Sequence, residues 1–87
     1  MATRDSVSVC LQHCEEALQL AQFQYDEAAK QEHYNIDHFT QSQQLLETAY
    51  SELEHLSRSA NEQQRDLLNR MKAQVEQMQH NMITLRH

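Results

Sequence analysis

An 87-residue chain in which only 39% of residues are apolar, with aromatics confined to Phe23, Tyr25, Tyr34, Phe39 and Tyr50, supports one thin-cored domain, since below roughly 70–80 residues a single core seldom supplies more than a few kcal/mol. Glycine and proline are both absent, which excludes the usual tight strand turns and the usual helix breakers and leaves an all-α fold. The net charge of −6, with no Lys/Arg cluster to act against it, disfavours nucleic-acid binding through phosphate neutralisation.

The first helix can be capped by Thr3 or Asp5 and is predicted to run over about residues 5–32. Val7, Leu11, Cys14, Leu18, Ala21, Tyr25 and Ala28 follow one another at spacings of four and three, an uninterrupted heptad seam that Cys10 and Ala17 widen. A second, sparser line on the opposite flank carries Val9, Leu20 and Phe23 among His13, Glu16 and Glu27. These three hydrophobes are the candidate interaction surface, set against the plainer reading that single exposed apolar residues are normal.

The next break falls at residues 33–38, where Asn35 can cap a helix, Asp37 sits favourably in its first turn, and Tyr34 and Phe39 occupy the positions of a hydrophobic staple. That helix is predicted over about residues 36–56. Its apolar residues, Phe39, Leu45, Leu46, Ala49, Tyr50, Leu53 and Leu56, spread over an arc wide enough for neighbours on two sides.

Residues 57–62 decide the architecture. Ser59 with Glu62 fits a capping box, and Asn61 with Gln64 offers a second one. Against a turn, Leu53, Leu56, Ala60, Gln63 and Leu67 keep heptad phase straight through, and no glycine is available for a C-cap. With a turn, helices of about 40, 32 and 39 Å match in length at 1.5 Å per residue. Without one, a helix of roughly 75 Å would face one of about 40 Å, and the stripe of Leu68, Met71, Val75, Met78, Met82 and Leu85 on the last helix, about residues 60–85, could be covered only by another chain. The matched lengths favour an antiparallel three-helix bundle of a single domain, residues 1–87; the alternative is a long helical hairpin that dimerises into a four-helix bundle.

Chemistry-bearing side chains gather in one place, at Cys10, His13 and Cys14. Zinc needs four such donors, and on a helix His13 points away from the line that carries the cysteines, so both thiols read as small buried hydrophobes and no metal is expected. An antiparallel bundle would also gather His33, His38, His80 and His87 at one end, where they could bind a metal or respond to pH. Neighbouring carboxylates such as Glu15/Glu16 and Asp26/Glu27 diverge on a helix and form a solvated face. No phosphate loop, nucleophile elbow or triad signature is present. The chain therefore reads as no enzyme, with no cofactor.

The N-terminus lacks the apolar core of a signal peptide and no run is long enough to cross a bilayer, so a cytoplasmic location with reduced cysteines is expected. Two readings of function follow. The first is a protein-protein interaction or regulatory module that binds another protein or itself, with no nucleic-acid or membrane partner. The second is a metal-binding or thiol-based sensor built on Cys10 and Cys14 with histidines.

The opening Met-Ala-Thr-Arg, the segment Lys30-Gln31-Glu32-His33-Tyr34-Asn35 and the segment Asn61-Glu62-Gln63-Gln64-Arg65-Asp66-Leu67-Leu68-Asn69-Arg70-Met71 together resemble a family of small uncharacterised all-helical proteins from endospore-forming Gram-positive bacteria. The resemblance covers most of the chain. It implies a cytoplasmic bacterial protein and supplies no catalytic residues. Secreted helical hairpins of similar size are a rival family, but their Trp-x-Gly turn needs two residues this chain lacks.

Overall fold

In the computed structural model, which describes residues 3–30 and 35–85, the chain forms α1 (Arg4–Lys30), α2 (Ile36–Ser57) and α3 (Glu62–Thr84), each packed against the other two. No strand occurs among the described residues. The arrangement is the antiparallel three-helix bundle. Of the two possible caps for α1, Thr3 takes the role: its Oγ1 accepts the Ser6 amide at 3.0 Å, while Asp5 sits in the first turn, where a negative charge suits the helix pole. α1 is described as far as Lys30; residues 31–34, with the predicted helix end at about residue 32, His33 and Tyr34 of the staple, lie outside the described residues.

Asn35 caps α2. Its Oδ1 accepts the amides of Asp37 at 2.9 Å and His38 at 3.1 Å, with an extended backbone at φ −117° and ψ 111°.

Of the two capping boxes open to α3, the one at Asn61 forms and the one at Ser59 with Glu62 does not, because Ser59 lies in the turn just past Arg58, the C-cap of α2. Ser59 turns back on the end of α2: its amide donates to the Leu56 carbonyl at 3.2 Å, and its hydroxyl reaches the same oxygen at 3.5 Å. Asn61 opens α3, with its side chain accepting the Gln64 amide at 2.8 Å while the Gln64 side chain accepts the Asn61 amide at 3.0 Å. The reciprocal pair makes a capping box. Asn61 at ψ 177° is far from helical, so α3 begins at Glu62, two residues after the start that the sequence pattern suggests. Between the two caps Ala60 is buried, and its carbonyl accepts Arg65 Nη2 at 3.0 Å. Heptad phase is thus kept across a real turn because Ala60 itself belongs to the core.

Asn61→Ala is expected to cost about 1 kcal/mol, the usual loss for an N-cap. Ser59→Ala should cost less, since its hydroxyl bond is long. Urea denaturation of the two variants tests the order.

The long dimension of the molecule, 44 Å against 19 and 14 Å across, is that of a single helix, which disposes of the ~75 Å hairpin. Leu68, Met71, Val75, Met78 and Met82 are buried within their own chain. On α1 the buried line is Val7, Cys10, Cys14, Ala17, Ala21 and Ala28, whereas Leu11, Leu18 and Tyr25 of the heptad seam are only half-buried. The stripe is displaced because α1 has two neighbours. Leu11 shares a groove with Leu67, and Leu18 another with Met78, on the α3 side. The small residues Cys14 and Ala17 face α2 at Ala49, where short side chains let the two helix backbones approach. From α2, Phe39, Leu46, Ala49 and Leu53 complete the core. Buried Ser42 donates its hydroxyl to the His38 carbonyl at 3.1 Å, so its polar atom is satisfied. Among the described residues no helix is long and apolar enough to cross a membrane.

Candidate functional site

Cys10 and Cys14 are the only thiols in the sequence. Both are free and both are fully buried on the core side of α1. Cys14 Sγ lies 4.0 Å from the Ala49 carbonyl, a weak thiol donation across to α2. Burial pushes the Cys10 thiol up to about 12, helped by the neighbouring Cys14 and by Glu52. Cys14 is also raised, again first by burial, with a partial offset from its hydrogen bond to Cys10. Such thiols are neutral at physiological pH, and the thiolate is the form that attacks or ligates. His13 stands apart from them. Its side chain is exposed and its Nδ1 lies 3.6 Å from Glu52 Oε1 on α2.

Among the described residues no group of three or more His, Cys, Asp or Glu side chains is arranged to hold a metal ion. His38 and His80 are exposed, and His33 and His87 lie outside the described residues, so the histidine end-cluster rests on positions the structure does not describe.

The three hydrophobes of the second α1 line are all exposed: Val9 at 48%, Leu20 at 51% and Phe23 at 58%. They do not share one place. Leu20 faces α2 across a shallow groove, while Phe23 follows it by one helical turn. Val9 precedes Leu20 by eleven residues, about 16 Å along the axis, and takes no part in that groove. Its opposite wall is Leu45 of α2, itself 44% exposed. Ala17 and Ala49 form the floor, Glu16 and Thr48 lie beside the walls, and the His13–Glu52 pair stands at one end. The groove holds about 260 Å³ and is lined by α1 and α2 alone.

Leu45 is the residue the sequence did not single out as surface. It sits beside Leu46 in an arc assigned wholly to burial.

The electrostatics of this face are one-sided. α1 has basic residues only at its two ends, Arg4 and Lys30, and α2 has no Lys or Arg at all. On α3 charges of both signs are interleaved. Arg70 Nη2 meets Asp66 Oδ2 at 3.3 Å in an exposed pair, and Lys72 Nζ stands 5.1 Å from the centre of the Tyr50 ring. The Tyr50 phenol is raised, chiefly by its hydrogen bond to Glu76, so Tyr50, Lys72 and Glu76 form a polar clasp between α2 and α3. Surface pairs of this kind add little to stability; Lys72 stands on the α2/α3 side, and between its ends α1, like α2 throughout, carries no Lys or Arg.

Comparison with known proteins adds family and little else. A family model described as "Protein of unknown function (DUF2524)" matches residues 1–84. The uncharacterised protein YtzC of Bacillus subtilis strain 168 is 46% identical over 83 residues, covering 95% of this chain and 92% of that protein. No solved structure matches the chain significantly. With a match over residues 1–84 and a relative of this identity, the chain belongs to the DUF2524 family of unknown function.

Proposed function

We propose that this protein is a non-enzymatic interaction module that binds another protein, or a second copy of itself, through the α1/α2 face bearing Leu20, Phe23 and Leu45. The observation that carries this reading is that Leu20 and Leu45, 51% and 44% exposed, face each other across a groove floored by alanines, with exposed Phe23 one helical turn beyond Leu20 on α1. Exposed apolar residues scattered singly need no explanation, but a pair facing each other across a concave seam between two helices is the form a helical partner recognises. The carboxylates on this face favour a protein over a polyanion as partner. A reducing compartment, the bacterial cytoplasm, suits two thiols that stay free.

The double variant Leu20→Lys/Phe23→Lys tests the reading. Both positions are exposed, so the helical circular dichroism should persist. Sedimentation velocity on the purified chain and cross-linked partner capture in the bacterium should show association weakened by roughly 30-fold or more, as for a hot-spot pair. A double variant with unchanged mass and unchanged capture would sink the reading.

A further inference from the structure

We propose that the occupant of the α1/α2 groove is an amphipathic helix of a partner protein, with a Leu-type apolar stripe flanked by Lys or Arg. This inference rests on the interaction-module reading and specifies its partner. Three features select such a helix. Ala17 and Ala49, 5% and 3% exposed, keep the floor low between Leu20 and Leu45, so a row of side chains from an incoming helix can seat between the walls as ridges seat in grooves. The face is built from two antiparallel helices, and a helix laid along their seam completes a four-helix arrangement.

Charge then fixes the sign of the partner. Glu16 and Glu52 border the groove, His13 is the only basic-type side chain beside them, and neither α1 between its ends nor α2 contains Lys or Arg. Basic flanks would meet carboxylates on both sides.

The same observations disfavour a second copy of this chain. Two α1/α2 faces brought together would set like charges opposite one another. The alternative donor, α3, carries Arg65, Arg70 and Lys72 interleaved with Glu62, Asp66 and Glu76, and its apolar stripe is already buried in its own bundle. The groove is left for a foreign helix.

The test uses the full chain and three fluorescein-labelled synthetic 18-residue helices: one with a Leu stripe and Lys elsewhere, one with the same stripe and Glu elsewhere, and one with the Lys but Ser in place of the stripe. Fluorescence anisotropy at about 0.1 M salt, where surface charges beyond roughly 10 Å are screened, reads binding. The Leu/Lys helix is expected to bind with micromolar affinity and each of the other two at least ~10-fold more weakly, a difference of one decade in Kd. Leu20→Ser/Leu45→Ser and, separately, Glu16→Gln/Glu52→Gln should each weaken it by about 10-fold. Ile83→Ser, at an α3 position 73% exposed, should leave it unchanged.

Equal binding of the Lys/Ser helix would mean plain ion condensation and overturn the proposal, as would binding indifferent to Leu20 and Leu45. If the Leu/Lys helix fails to bind while the chain self-associates in a Leu20- and Phe23-dependent way, the partner is a second copy: this inference falls and the interaction module stands. If the helix fails and no association depends on Leu20 or Phe23, both fall.

Discussion

Leu46→Ala is expected to cost about 3–5 kcal/mol, the range for a leucine truncated at a site that cannot collapse around the lost atoms. Leu46 is fully buried between α1 and α3 at the centre of the core. A chain of 87 residues has a total stability of only about 4–13 kcal/mol at the usual 0.05–0.15 kcal/mol per residue, so this one change removes a large part of it. At roughly 4–8 °C per kcal/mol, the melting midpoint should fall by more than about 12 °C. The neighbouring Leu45, 44% exposed, is the control: Leu45→Ala should cost less than about 1 kcal/mol, in the range of ordinary surface substitutions. Thermal melts followed by circular dichroism decide the matter. Equal losses at the two positions would mean that the register of α2 is wrong, because a helix rotated to share burial between them would not leave Leu46 fully covered.

Cys10 should be nearly inert in the folded protein. With its thiol pushed up to about 12 from an ordinary 9.0, its thiolate fraction at pH 8 is roughly a thousandfold lower than that of a free cysteine, and the thiolate is the reactive form. Full burial removes access as well. Iodoacetamide labelling at pH 8 followed by mass spectrometry should therefore leave Cys10 unmodified over a time that labels it completely in denaturant. Native labelling at the rate of a free thiol would refute the packing of α1 against α2 and revive the sensor reading. The same shift makes stability pH-dependent. The folded state holds the Cys10 proton more tightly than the unfolded chain does, so this contribution is complete below pH 9 and is lost as the pH rises from about 9 towards 12. Cys10→Ala should flatten the alkaline limb of a stability profile measured by urea titration.

Much of this architecture was legible in the sequence for simple physical reasons. With no glycine or proline, helix was the default, and the Met stripe on α3 had to be covered. Capping was legible only as a choice. Ser59 and Asn61 satisfied the same rule two residues apart, and the outcome depended on the backbone: Asn61 adopts the extended conformation from which its side chain and that of Gln64 can exchange hydrogen bonds, while Ser59 turns back on the end of the preceding helix. The displaced core line of α1 was hidden by a different limit. Heptad spacing ranks leucine above cysteine and alanine, but the closest helix approach selects the smallest side chains, so Cys10 and Ala17 went in and Leu11 and Leu18 were turned to the margin. At the candidate site, the exposure of Leu20 and Phe23 followed from the phase of α1 alone. Leu45 did not, because whether an apolar residue of α2 is core or groove wall depends on where α1 sits.

The line of cysteine and alanine along α1 also shapes how the protein responds to temperature. Alanine loses essentially no side-chain freedom on folding, so this contact orders cheaply, yet each such residue hides little apolar surface. The heat capacity gained on unfolding scales with the apolar surface exposed. For 87 residues an average composition gives about 1.0–1.3 kcal/mol/K at 12–15 cal/mol/K per residue, and a seam of small side chains is expected to lower the value for this chain. The stability curve is accordingly expected to be flatter than that of an average domain of this length, with a shallow maximum, which the heat capacity change in a calorimetric scan would measure.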